Sequence, residues 1–504
     1  MLATNIKRGW LGLMALCLGM VLLFMNTTMV NVALPALASG LGASAGQLEW
    51  IVSSYNLASL SVLLLGGALG DRFGHRRLLL GGVGLFIAGA VLAAVSMTPG
   101  LLIAARVLMG LASSVFIPMS LALIPALFGS ERRAMATAIW TASGAVGAPF
   151  GPLIGGPMID SWGWRAVFWL DIVVAILTLV LCLLFVPRGR PASDRRPLPL
   201  PQIVISAGGF SLLTWGLINA ERTWTAPTTW GLLVAGGVLL AVFVLVENRA
   251  KGKLTDLGLL ARRGFRLPVL VLMLISCVLY GVLFAAPSYL QTVLGNDATT
   301  GGMMLMPVAL TAVAGAVIAG RLSRLGPIRE FILPGALVLV AAGLWLCSMS
   351  TTTSGYTPMF WGLLVAGLGL GIGQSRGIEA GMSAVPEERS GAGAALLNSI
   401  RQLGAVLGVA LFGSLIGNRY AVGVAGLVKD LPEAGAAITQ SITAAFAAAG
   451  RLPSPQGETV RAVASTAYVE AMQLVFGACA LIALAVSVVL LVTAGRRVFV
   501  QSRP

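Results

Sequence analysis

Gly67-Ala68-Leu69-Gly70-Asp71-Arg72-Phe73-Gly74-His75-Arg76-Arg77 lies between two apolar runs, and the architecture of the chain can be read outward from it. Gly70 and Gly74 allow helix ends and a tight turn to pack closely. Asp71 can accept hydrogen bonds from a neighbouring helix N-terminus and can pair with Arg72 or Arg76. A weaker copy, Ala319-Gly320-Arg321-Leu322-Ser323-Arg324-Leu325-Gly326-Pro327-Ile328-Arg329, follows a later apolar run. The copies occupy equivalent positions once the segment 202–247 is set aside as an insertion. A chain built from two related halves leaves this trace.

Outward from these loops, apolar runs of roughly 20 residues recur from end to end, each able to cross about 30 Å of hydrocarbon. About fourteen fit, the first at 11–34 and the last at 471–494. The chain of 504 residues is 57% hydrophobic and 10% charged, where soluble domains carry about 25% charged residues. Barrel strands would be shorter and would alternate in polarity. The expected fold is therefore an all-α integral membrane protein. Its expected parts are an N-terminal six-helix half (1–187), cytoplasmic linkers with an inserted helix pair (188–266), and a C-terminal six-helix half (267–504). The last part includes a long outer loop, 418–470, whose apolar periodicity at 438–449 predicts a short helical or hairpin-like lid.

The net charge is +15, but it does not indicate nucleic acid. Lys and Arg collect in alternate loops, among them Arg72/Arg76/Arg77, Arg132/Arg133 and Arg262/Arg263. That is the positive-inside pattern, and it puts both termini in the cytoplasm. No small-residue cleavage site precedes Pro35, so the first span is read as uncleaved. All five cysteines lie in apolar spans and are expected to be free thiols. The single histidine, His75, is in a loop, which excludes histidine-based metal or acid–base chemistry within the membrane. With no nucleotide loop, triad spacing or metal cluster, the chain does not read as an enzyme.

The first apolar run carries a polar stretch, Phe24-Met25-Asn26-Thr27-Thr28-Met29-Val30-Asn31-Val32-Ala33-Leu34-Pro35. Polar groups at membrane depth cost several kcal/mol unless they face a partner or a wet cavity. This helix is therefore expected to line something. Arg106 is a buried cation about 10 Å inside the outer end of its span at 1.5 Å per residue. Asn26 and Asp171 fall at nearly the same depth on other spans, and the three are expected to meet. Glu379 has Arg376 three residues away, a spacing that suggests an ion pair on one helix face.

These motifs carry a resemblance. GALGDRFGHRR resembles the signature loop between helices two and three of the major facilitator superfamily. The stretch around Asn26 resembles the first-helix motif of its fourteen-helix drug:proton antiporter-2 branch, the EmrB/QacA-type pumps. Arg106-Val-Leu-Met-Gly110 resembles that branch's fourth-helix motif. Gly147-Ala-Pro-Phe-Gly151-Pro152-Leu-Ile-Gly155-Gly156 resembles its fifth-helix antiporter motif. Trp162-Gly-Trp164-Arg165, Tyr289-Leu290-Gln291 and Asn398-Ser-Ile-Arg401-Gln402-Leu403-Gly404 extend the match downstream.

The resemblance implies a proton-coupled multidrug efflux antiporter that exports lipophilic, cationic drugs, dyes and biocides by alternating access. The alternatives are a dedicated exporter of one antibiotic or metabolite, or a lipid or siderophore transporter. It implies no cofactor beyond a proton gradient, contact with membrane lipid, a monomer, and a bacterial cytoplasmic (inner) membrane location. Asn26, Arg106, Asp171 and Glu379 are the candidates for proton coupling. Asn26 departs from the family pattern, which usually supplies aspartate there. Asparagine matches a protonated aspartate in size and hydrogen bonding but cannot titrate. Either coupling runs through other acids, or residue 26 is a replacement that fixes one state. Fewer carboxylates also weaken any expectation of doubly charged substrates.

A substrate cavity is expected between the halves near the bilayer midplane. Its candidate lining is Asn26, Trp50, Tyr55, Trp140, Tyr280, Phe284, Tyr289, Gln291, Met306, Asn398 and Gln402. Aromatic and methionine surfaces suit flat lipophilic cations. The candidate conformational switch is Gly67, Gly70, Asp71, Arg72, Gly74 and Arg76 in the loop. Gly147, Gly151, Pro152, Gly155 and Gly156 in the fifth span complete it.

Overall fold

The structure is a computed structural model that describes residues 2–43, 45–128, 130–187, 199–222, 226–250, 257–296, 298–323, 326–386, 389–431 and 434–501. The described residues are overwhelmingly helical, with no strand among them. In hydrocarbon the backbone has no water to bond, so a helix, which satisfies its own N–H and C=O groups, is the conformation open to apolar runs of this length.

The N-terminal helices are α1 (Leu2–Leu41), α2 (Ala45–Ser61), α3 (Leu63–Phe73), α4 (His75–Ala94), α5 (Pro99–Leu127), α6 (Ser130–Trp162) and α7 (Arg165–Phe185). Then come α8 (Leu200–Arg222) and α9 (Pro227–Arg249). The remainder are α10 (Arg263–Ser288), α11 (Ala298–Met303), α12 (Met306–Leu322), α13 (Ile332–Ser348), α14 (Thr357–Ser383), α15 (Ser390–Asp430), α16 (Gly435–Gln440), α17 (Ile442–Ala449) and α18 (Ser454–Gln501). Among the described residues, eleven helices are long and apolar enough to cross a membrane, or twelve if α2 and α3 count as one broken span. Helices α6, of 33 residues, and α8, of 23, are also long enough for about 30 Å at 1.5 Å per residue.

The span expected at 48–69 is not one straight helix. It bends by 53° between α2 and α3. Ser61 at the break turns its hydroxyl back onto the Leu57 carbonyl at 2.6 Å, a bond that competes with the helix ladder and bends it. Further on, α10 passes into a π-helical turn, Tyr289–Val293. Pro287, just before it, has no N–H to offer the helix ladder.

One buried core gathers side chains of α1, α2 and α4 to α7 and reaches α10, α14 and, at Ala394 and Leu397, α15. A second gathers α10, α13, α14, α15 and α18. Helices α8 and α9 pack on each other through Gly209, Gly216 and Gly236. Their buried Phe210 and Phe243 meet Ala395 of α15. On its other side α8 touches α2, through Ser61–Ser211 at 2.6 Å and an edge-on pair of Trp50 with Trp215 at 6.0 Å. The inserted helix α8 thus touches an element of each half.

The described residues of 418–470 are mostly helical. α15 runs on to Asp430 and α18 starts at Ser454, with α16 and α17 between them. Tyr420 donates to the Ile438 carbonyl at 3.0 Å and meets Tyr468 edge-on at 6.4 Å. Ser441 caps α17 by accepting from Ala444 N–H at 3.1 Å. Ile442, Ala445, Val460 and Ala464 are buried between these pieces, so an apolar seam holds the hairpin closed.

Candidate functional site

Three helices deliver one buried polar cluster. Asn26 on α1, Arg106 on α5 and Asp171 on α7 are each fully buried. Arg106 Nη1 donates to Asn26 Oδ1 at 2.5 Å. Asn26 Nδ2 donates to Asp171 Oδ2 at 2.6 Å. The amide therefore stands between guanidinium and carboxylate and uses both its ends. Arg106 Nε donates to the Ile51 carbonyl of α2 at 3.0 Å, and its guanidinium lies 4.4 Å from the Tyr55 ring centroid. Arg106 Nη2 and Asp171 Oδ1 are buried with no hydrogen-bond partner. A charged group held in this way at membrane depth costs several kcal/mol and marks a site.

Geometry permits this meeting because α6 lies tight against α1. Gly147, Gly151 and Gly155 recur every four residues and face Val21, Thr28 and Met29 of α1. A Cβ at Gly147 would come 2.7 Å from the Val21 carbonyl, and one at Gly155 would come 3.0 Å from Met29. Gly156 faces open space instead. The side chain of Pro152 lies outside the described residues.

A second polar contact joins the halves at the end of the bundle where the N-terminus lies. Asp71 Oδ1 accepts from Gly391 N–H at 2.9 Å, and Oδ2 accepts from Ala392 N–H at 2.8 Å. These are orphan donors of the α15 N-terminus, where a carboxylate is favoured. His75 Nε2 lies 2.8 Å from the same Oδ1. Arg76 turns to the Leu183 carbonyl at 2.6 Å, and Arg72 lies 5.3 Å from the Phe73 ring. Gly67 has Gly391 and Ala395 of α15 directly over it, and Gly70 has Met119. Gly74, at φ 93°, makes the turn between α3 and α4. In the second copy of the loop, Gly320 meets Met135 and Ala138 of α6.

The candidate lining residues separate into groups. Tyr55 belongs to the Arg106 cluster. Trp50 sits against α8. Trp140 is buried and donates to Ser120 at 3.0 Å. Tyr289 is buried and donates to the carbonyls of Thr351 and Gly355, both at 3.0 Å. Tyr280, Phe284, Gln291, Met306 and Gln402 are half-buried on α10, the π turn, α12 and α15. Asn398 is buried, donates to the Ala394 carbonyl at 2.9 Å and accepts from Arg401 at 3.3 Å. Glu379 pairs with Arg376 three residues away. Sequence reasoning missed the Ile51 carbonyl, His75 as the partner of Asp71, and Arg401. A backbone acceptor leaves no mark in sequence, but the isolated arginine in an apolar run did.

Comparisons with known proteins bear on this geometry. A family profile described as Major Facilitator Superfamily matches residues 16–409. The chain is 32% identical over 494 residues to the tetracenomycin C resistance and export protein of Streptomyces glaucescens, covering 95% of this chain and 91% of that one. It is 31% identical to the multidrug efflux pump LfrA of Mycolicibacterium smegmatis, covering 95% and 96% of the two chains. Among solved structures it is similar to the human organic anion transporter MFSD10, with a TM-score of 0.59 at 15% identity over 96% of this chain and 98% of that one. The proton:xylose symporter XylE gives the same score and identity over 95% of each chain.

Proposed function

This chain belongs to the Major Facilitator Superfamily and is a multi-pass membrane transporter; we propose that it is a proton-coupled exporter of lipophilic drugs, of the fourteen-helix drug:proton antiporter-2 type. On this reading it works as a monomer in a bacterial cytoplasmic membrane with both termini in the cytoplasm. Its halves are 1–187 and 267–504, and 188–266 carries the inserted pair.

The observation that carries the proposal is the bridged cluster Arg106–Asn26–Asp171. Asn26 cannot take a proton, so Asp171 is the coupling acid, and its free Oδ1 is the atom that accepts it. While Asp171 is charged, the Asn26 amide links it to Arg106 and draws α1, α5 and α7 together. Protonation of Asp171 removes the ionic pull through that amide and frees α1 to move against α6 along its glycine face. Substrate binding from the cytoplasm releases the proton inward, and reprotonation comes from outside. Asp71 on the α15 N-terminus acts as the cytoplasmic latch, which must open for each inward-facing step. Support for drug export comes from the resistance and efflux proteins similar to this chain at about 30% identity.

Proteoliposomes under an imposed pH gradient, loaded with a panel of lipophilic fluorescent dyes of differing charge, test the reading. The parent protein moves dye against its gradient. Asp171→Asn still binds dye but loses gradient-driven transport. Coupled transport at the parent rate in Asp171→Asn would remove Asp171 from the mechanism. A dedicated exporter of one antibiotic is the second reading. It is favoured by the full-length similarity to the tetracenomycin C export protein. A narrow resistance profile in cells would select it.

A further inference from the structure

Arg106, Arg376 and Arg401 lie inside apolar helical runs, and their charge is unevenly balanced. Arg106 is linked through Asn26 to Asp171. Arg376 pairs with Glu379. Arg401 has no such acid among the described residues. Its Nη2 reaches only the neutral Asn398 Oδ1, at 3.3 Å, and its Nε is buried without a partner. It lies eleven residues beyond Ser390, about 16 Å along α15 at 1.5 Å per residue. That is near the middle of a hydrocarbon core of about 30 Å.

An uncompensated guanidinium at this depth costs free energy and needs a partner. Its direction is set by the helix it sits on. Gly404 and Gly408, one and two turns further on, abut Met273 and Cys277 of α10. Asn398, one turn before, is buried. Arg401 therefore occupies the α10-facing side of α15. The neighbouring Gln402 and Phe284 are half-buried.

We propose that Arg401 and Asn398 form an acceptor-binding subsite in the C-terminal half, which takes a carboxylate, phenolate or carbonyl oxygen of a flat lipophilic substrate. It rests on the transporter reading above for the route by which substrate reaches it. Guanidinium supplies the missing charge-assisted donors to such an oxygen, and the Asn398 amide, now spent on the Ala394 carbonyl, can contribute a second. The same positive charge opposes cationic substrates, doubly charged ones most. Among lipophilic drugs the subsite favours aromatic acids, zwitterions and oxygen-rich neutral molecules over cations.

Two xanthene dyes of nearly equal shape and opposite charge provide the test: fluorescein at mildly alkaline pH, and tetramethylrhodamine methyl ester. Binding to the purified full-length protein is followed by fluorescence anisotropy. The parent protein binds fluorescein more tightly than the rhodamine ester. Arg401→Gln weakens fluorescein about tenfold, the loss of one charge-assisted contact, and strengthens the rhodamine ester. Arg401→Lys restores part of the fluorescein affinity. Opposite changes for the two dyes cannot come from a misfolded variant. Equal loss of both, no change in either, or tighter binding of the rhodamine ester by the parent would overturn the subsite. Transport is scored separately. Absent transport with dye binding as described sinks the export reading and leaves the subsite standing.

Discussion

Asn26 is the residue on which the chemistry turns. Its amide presents a carbonyl acceptor at one end and an NH2 donor at the other, and the structure sets a charged partner against each. A carboxylate in its place would suit Arg106 but would meet Asp171 at hydrogen-bond distance, with two like charges and little water. Asn26→Asp alone is therefore expected to lower stability by roughly 1–3 kcal/mol, the scale of a buried polar group left badly matched. The exchange Asn26→Asp with Asp171→Asn keeps one acid and one amide in the cluster. It is expected to recover most of that loss, as read from thermal unfolding of the detergent-solubilised protein. Additive losses in the double variant would mean that the two side chains are not coupled.

At the scale of elements, the contact of α6 on α1 depends on which glycines face inward. Gly151 has Thr28 and the Met29 backbone over it, whereas Gly156 has nothing within 4 Å. A valine at 151 must push α1 away, and overpacking of this kind costs about 1–3 kcal/mol. Gly151→Val is expected to lower the melting temperature and to disturb the Asn26 cluster, and Gly156→Val to do neither. Equal effects would show that helix propensity, not packing, governs this helix. Of the short helical or hairpin-like lid expected at 418–470, the helical character was readable from its apolar periodicity, though not its extent. That came from α15 and α18 overrunning their spans, with the Tyr420–Tyr468 contact between them. The break at Ser61 was not readable, because a serine in an apolar run bends a helix only when its neighbours hold the bend.

For the whole molecule, the halves meet closely where Gly67 faces Gly391 and Ala395. If transport requires this contact to open, a covalent bond across it must stop transport. Gly67→Cys with Ala395→Cys, placed in a background without the native cysteines, is expected to form a disulfide on oxidation once α3 and α15 shift apart, because a Cβ at Gly67 lies 2.4 Å from that of Ala395 and a disulfide holds its Cβ atoms about 3.8 Å apart. Dye transport should then fall to the level of empty liposomes and return with reductant. Undiminished transport in the fully oxidised protein would show that the contact does not open during the cycle.

Residue order alone established that the chain crosses the membrane many times and that Asn26, Arg106 and Asp171 lie at one depth. Hydrophobic length, loop charge and the rise of a helix are local quantities, and they suffice for those statements. The order of partners came from packing in three dimensions. It set the amide between the two ions, His75 on Asp71, Asp71 on the α15 N-terminus, Trp140 and Tyr289 on bonds of their own, and Arg401 without an acid. Depth along a helix is fixed by counting residues. Rotation of each helix about its axis, and hence which side chains face one another, is fixed by packing between segments far apart in the chain.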